Sequence, residues 1–178
     1  LLELLKTAPL DPALVQEVVG RTFTDAIHIV GEPLAQKQEP ANPVDAQFSA
    51  PYSLAVAFWD RQGMPEQFAW ARVRDPQVRW LARRIRVEAD PSCDREFPRR
   101  YPAEVVVRMQ DGRSLTHRVP TSKGDPAWPL TQGEIERKFF ALAGDVLPPG
   151  RAEAIRDAIR RLEACPDLRE LAALLAAG

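Results

Sequence analysis

The stretch Gln47-Phe48-Ser49-Ala50-Pro51-Tyr52 gathers an amide, a hydroxyl and a phenol at the start of a predicted helix. Ser49 suits the N-cap, and Pro51 suits the first turn, where a missing N–H does little harm. A spacing of three brings the Ser49 hydroxyl and the Tyr52 phenol to one side of the helix start, beside backbone N–H groups with no helical acceptor. That arrangement can hold an anion, a carboxylate in particular. The same pair also suits a purely structural job as cap and core aromatic.

A second candidate is Lys123-Gly124-Asp125-Pro126. Its lysine can pair with a carboxylate and its glycine lets backbone approach closely, although the motif is also an ordinary turn. His28 and His117 are the only histidines, so a scheme with several imidazoles is incomplete within these residues. His28 precedes a proline-rich stretch, a setting where site residues often occur. His117 falls on a predicted strand and reads as structural or solvent-facing.

Other chemistries find no support. No glycine-rich phosphate loop, Gly-x-Ser-x-Gly elbow or His-Glu-x-x-His motif is present. A formal net charge of −1 provides no global attraction to nucleic acid or anionic lipid. The arginines from Arg72 to Arg86 alternate with Trp80, Leu81 and Ile85 and read as a solvated amphipathic face. Cys93 and Cys165 are far apart and lack metal-ligand spacing, so both read as free thiols and no metal or cofactor is expected. With no signal peptide, the reducing cytoplasm is the expected compartment. The Leu54–Trp59 run is far short of the ~20 apolar residues a membrane span needs.

The elements that must position these residues follow from periodicity. A strand is predicted from about Val15 to Phe23, a short helix capped by Thr24 or Asp25 and ending near Gly31, and a loop from Glu32 to Asp45 carrying Pro33, Pro40 and Pro43. The helix beginning at Ser49 is apolar on every face in its later positions and so belongs in a core or an interface. Asp75-Pro76 opens another helix, Ile85, Val87 and Ala89 alternate as a strand, and Asp111-Gly112 turns a hairpin between the Val105 and Leu115 strands. Thr131 and Glu134 form a capping box, and two further helices follow Gly150. The expected architecture is α+β, a two-layer sandwich with an antiparallel sheet packed on helices and a helical C-terminal tail.

The ordered series Ala46 to Tyr52 running into an Ala/Val-rich helix, then Asp75 to Ile85, Asp111-Gly112-Arg113, Lys123-Gly124-Asp125-Pro126 and Pro129-Leu130-Thr131 before Lys138-Phe139, resembles the C-terminal region of the MmgE/PrpD family. The family includes 2-methylcitrate dehydratase, cis-aconitate decarboxylase and iminodisuccinate epimerase. The resemblance implies a metal-independent enzyme acting on small di- and tricarboxylates by removing a proton next to a carboxylate. It further implies a dimer whose active site lies between a helical N-terminal domain, expected upstream of Leu1, and a C-terminal α+β lid represented by residues 1–178. On that basis Tyr52 and His28 are expected to be catalytic, and Ser49, Gln47, Lys123, Gly124 and Asp125 to bind substrate. One departure stands out: dehydratase and decarboxylase branches tend to carry His before this serine, where Phe48 stands here. The competing expectation is a non-catalytic α+β ligand-binding or oligomerisation module.

Overall fold

The computed structural model describes residues 1–144 and 146–176. The chain divides into two compact units, Leu1–Trp128 and Pro129–Gly178. In the first, α1 (Leu2–Thr7) buries Leu4 and Leu5, and a short 3-10 turn leads into β1 (Val15–Thr22), whose Val15, Val18 and Val19 are fully buried. α2 (Thr24–Ala26) runs on into a π-helical turn (Ile27–Gly31).

The stretch expected to be a loop is largely helical: α3 (Leu34–Gln38) and α4 (Pro43–Gln47) occupy it. Two of its prolines start helices rather than prevent them. Pro33 sits immediately before α3, and Pro43 occupies the first turn of α4 behind Asn42, whose side chain accepts the Asp45 N–H at 3.0 Å.

α5 (Ala50–Asp60) is the central helix of the unit and is largely apolar, with Tyr52, Ala55, Val56 and Phe58 wholly buried. Arg61 ends it in the left-handed conformation at φ 59°. α6 (Trp70–Val73) and α7 (Pro76–Ala82) follow, the latter capped by Asp75, whose carboxylate accepts the Gln77 N–H at 2.8 Å. β2 (Ile85–Ala89), α8 (Pro91–Glu96), β3 (Ala103–Met109) and β4 (Ser114–Val119) complete the unit. Gly112 supplies the hairpin turn between the last two strands at φ 89°.

The strands form one sheet in the order β2-β1-β3-β4. β3 is antiparallel to both neighbours, but β1 and β2 run parallel, with Val18 opposite Ile85 and Gly20 opposite Val87. The sheet is therefore mixed rather than antiparallel throughout. The α-helices between β1 and β2 carry the chain back so that both strands enter from the same end. The α+β class holds, with helices on the sheet face that carries Val18, Ile85, Val105 and Val107; these four join Tyr52, Phe58 and Leu81 in one core.

The opposite face carries a ladder of ion pairs. Arg86 donates to Glu17 at 2.9 Å, Arg21 to Glu88 at 2.8 Å and to Glu104 at 3.0 Å, and Arg108 also pairs with Glu17.

The second unit is helical among its described residues: α9 (Gln132–Ala143), α10 (Arg151–Arg160) and α11 (Arg169–Leu175). The Thr131 capping box is present, Glu134 accepting the Thr131 N–H at 2.8 Å. Ala152, Ile155 and Ala158 form the buried face of α10, and Arg151 donates to the Leu174 carbonyl at 2.8 Å.

Candidate functional site

Within the first unit, a cavity of ≈ 560 Å³ opens between α5, the sheet and the loop after β4. Its floor is the end of the sheet where Gly20, Val87, Val105 and His117 lie side by side, and its wall is the α5 face presenting Ala50, Ser53 and Leu54. Glycine at position 20 is required for this close approach: a Cβ there would lie 2.9 Å from Val87 Cγ1 and 3.3 Å from Leu54 Cδ1. Thr121, Ser122 and Lys123 border the opening.

The loop that carries Lys123 is held by its own backbone. The Gly124 N–H donates to the Trp128 carbonyl at 2.8 Å, and the Trp128 N–H returns to the Asp125 carbonyl at 2.8 Å. Gly124 adopts φ 99°, a conformation natural to glycine. The Asp125 carboxylate accepts the Ala127 N–H at 2.8 Å, so Gly124 and Asp125 shape the loop while Lys123 reaches the cavity, its ammonium 5.3 Å from the Trp128 ring centre.

Ser49 and Tyr52 do not border this cavity; both are buried. Ser49 Oγ accepts the Tyr52 N–H at 3.0 Å and donates to the Lys37 carbonyl, and Tyr52 Oη donates to the Gln67 carbonyl at 2.5 Å. Burial pushes the Tyr52 phenol up to about 12, with the nearby Arg72 opposing the shift and the Asp60 carboxylate adding to it. Tyr52 is therefore neutral at physiological pH and its proton is engaged within the core.

His28 is exposed and its Nδ1 lies 3.0 Å from Glu32. Gln47 is exposed at the end of α4. Next to it, Phe48 is half exposed and borders a separate cavity of ≈ 470 Å³ together with Ile29 and Val44. Lys37 fastens this region, donating to the Ile29 carbonyl at 2.7 Å and the Phe48 carbonyl at 2.6 Å. The residues expected from the sequence thus separate into three places: the cavity loop, the core under α5, and the surface around Phe48.

His117, Ser53 and Thr121 border the main cavity without having been singled out as site residues. For His117 the signal was available. Leu115, His117 and Val119 alternate along β4, and His117 pairs with Val105, which puts it on the helix-covered face. Among the described residues no cluster of His, Cys, Asp and Glu has the arrangement of a metal site, and no helix is long and apolar enough to cross a membrane.

A mixed sheet covered by helices on one face, with a largely apolar cavity at its end that Lys123 and His117 border, defines an α+β domain built around a pocket. Residues 1–164 match the MmgE/PrpD C-terminal domain, and the chain belongs to that family. It is similar to cis-aconitate decarboxylase of Mus musculus, 28% identical over 136 residues that make up 76% of this chain and 28% of the mouse protein. The human cis-aconitate decarboxylase is 29% identical over 136 residues, with the same coverage of 76% and 28%. The cis-aconitate decarboxylase-like protein oryM of Aspergillus oryzae is 36% identical over 74 residues, 41% of this chain and 15% of that protein. The matched region spans little more than a quarter of the mouse and human proteins, 28% of each.

Proposed function

We propose that this domain forms the substrate-covering side of the active site in an MmgE/PrpD-type lyase or isomerase that removes a proton next to a carboxylate in a small di- or tricarboxylate. The observation that carries the reading is Lys123, on a loop closed by its own backbone hydrogen bonds at the opening of a largely apolar cavity with His117 on its floor. An ammonium beside low-dielectric walls binds a carboxylate more strongly than it would in water, and it stabilises the charge that develops when the neighbouring carbon loses its proton. His117 can donate to or accept from the same substrate. Ser53 offers a hydroxyl from α5. The names of the mouse and human relatives make cis-aconitate the first substrate to test.

In this reading Ser49 and Tyr52 act as positioning residues that fix the start of α5, while His28 and Gln47 belong to the surface around Phe48. With Phe48 where dehydratases and decarboxylases tend to carry His, epimerisation stands beside elimination and decarboxylation as the reaction. The remaining acid/base groups come from a helical domain, and the family resemblance implies a metal-independent homodimer working in the cytoplasm.

The test uses the protein as its gene encodes it, with cis-aconitate, citrate and 2-methylcitrate as substrates. A charge-assisted hydrogen bond is worth roughly 1.5–3 kcal/mol, so Lys123→Met is expected to lower kcat/KM by about ten- to a hundredfold, largely through KM. His117→Gln is expected to lower kcat. Unchanged kcat/KM in Lys123→Met would remove the cavity from the mechanism.

A further inference from the structure

Thr121 lies two residues beyond the end of β4 and is 97% buried, with only 3% of its surface exposed. Its Oγ1 is fully enclosed and has no hydrogen-bond partner among the described residues. Native proteins seldom leave a buried hydroxyl in that condition unless a water, an ion or a ligand completes the bond. The position of Thr121 singles out the ligand. It borders the ≈ 560 Å³ cavity beside Lys123 and also a second cavity of ≈ 540 Å³ that adjoins it. His117 and Trp128 border both as well. The second compartment is also bordered by Arg100 and Arg118, whose guanidinium groups pair with Glu96 at 3.8 and 3.0 Å. Glu3 also borders both spaces, but its carboxylate is paired with Lys6 at 2.6 Å. Rotation about χ1 to another staggered well moves the Thr121 hydroxyl to a different side of Cβ, so the enclosed donor can be re-aimed without moving the backbone.

We infer that Thr121 is a ligand-binding residue whose hydroxyl donates to a carboxylate oxygen of a substrate held in the cavity that Lys123 borders. The inference rests on the cavity reading proposed above and adds one hydrogen-bond donor to it. The unpaired hydroxyl is then a donor kept ready for substrate, with no internal bond to break on binding.

The decisive experiment titrates cis-aconitate and citrate into the full gene-encoded protein and into its Thr121→Val, Thr121→Ser and Lys123→Met variants, with Tm recorded for each. Thr121→Val preserves shape and removes only the donor. It is expected to weaken binding about tenfold while leaving Tm unchanged or higher, whereas Thr121→Ser stays close to the parent protein. A Thr121 acting only in folding would give the opposite pattern, a lowered Tm with unchanged affinity, and would overturn the inference. If Thr121→Val binds normally while Lys123→Met is impaired, the cavity reading survives and the role of Thr121 is lost. If neither variant changes affinity, both fall. Should Thr121→Val fail to fold, Thr121→Ala carries the same comparison.

Discussion

Burial of Tyr52 has a measurable signature at high pH. Its phenol ionises near 10 in an unfolded chain but is pushed up to about 12 in the fold. Between those values the unfolded chain has lost the proton while the folded one retains it. The contribution is therefore fully present below pH 10 and declines as pH rises towards 12. Urea denaturation of Tyr52→Phe is expected to show two effects: loss of about 1–3 kcal/mol near neutral pH, because the buried Gln67 carbonyl loses its donor, and a shallower decline above pH 10. A variant as stable as the parent at pH 7 would contradict the bond described for Tyr52. Spacing alone identified Ser49 as a cap and put Tyr52 on its side of the helix. It could not say whether that side faced a cavity or the core, because the run Leu54–Trp59 that follows is apolar on every face and marks no solvent side.

At the scale of elements, the cavity depends on how closely the π-helical turn and α5 approach the sheet. A Cβ at Gly31 would lie 2.6 Å from Val87 Cγ2 and 3.2 Å from Ile27 Cγ2. Gly31→Ala is expected to cost about 1–3 kcal/mol through overpacking. Combining it with Val87→Ala should cost less than the two single changes added together, since the second removes the atom the first meets. Additive losses in thermal or urea unfolding would show that the backbone had moved instead.

The outer face of the sheet makes a separate prediction. Hydrogen bonding from Arg86, then Arg108, holds the Glu17 carboxyl below its ordinary range, and Arg21, then Arg86, does the same for Glu88. Their stabilisation is present above the usual glutamate range and is lost as pH falls through the lowered values. These side chains are about one-third exposed, so each pair contributes at most ~1 kcal/mol. Urea midpoints measured from pH 6 to pH 3 should fall less steeply in Arg86→Met than in the parent.

The strands themselves were legible from alternation, and so was the hairpin, because Asp111-Gly112 has a turn-specific backbone requirement. The direction of β2 was not. Its five residues, buried at Ile85 and exposed at Ala89, carry no mark of whether their neighbour runs parallel, and the information lies in short intervening helices. Thr121 escaped notice for a related reason: an unpaired hydroxyl is a property of surroundings, not of residue type.

At the scale of the whole molecule, all four strands and the principal core, which runs from Leu4 to Met109, lie within Leu1–Trp128. A fragment ending at Trp128 is accordingly expected to unfold in a single cooperative urea transition and to retain near-ultraviolet circular dichroism from its buried aromatics. A non-cooperative transition would show that the sheet needs residues beyond 128.

The parallel pairing of β1 with β2 also sets an order in time. Residues 23–84 separate those two strands, whereas only residues 110–113 separate β3 from β4. The hairpin can zip on the microsecond scale, but closing the long crossover must wait until the intervening helices have condensed. In pulse-labelled hydrogen exchange during refolding, amides of β3 and β4 should gain protection ahead of those in β2. The edge that finishes the sheet would then be the last part of the molecule to acquire its native partner, leaving Ile85 and Val87 exposed during the interval when neighbouring chains can compete for them.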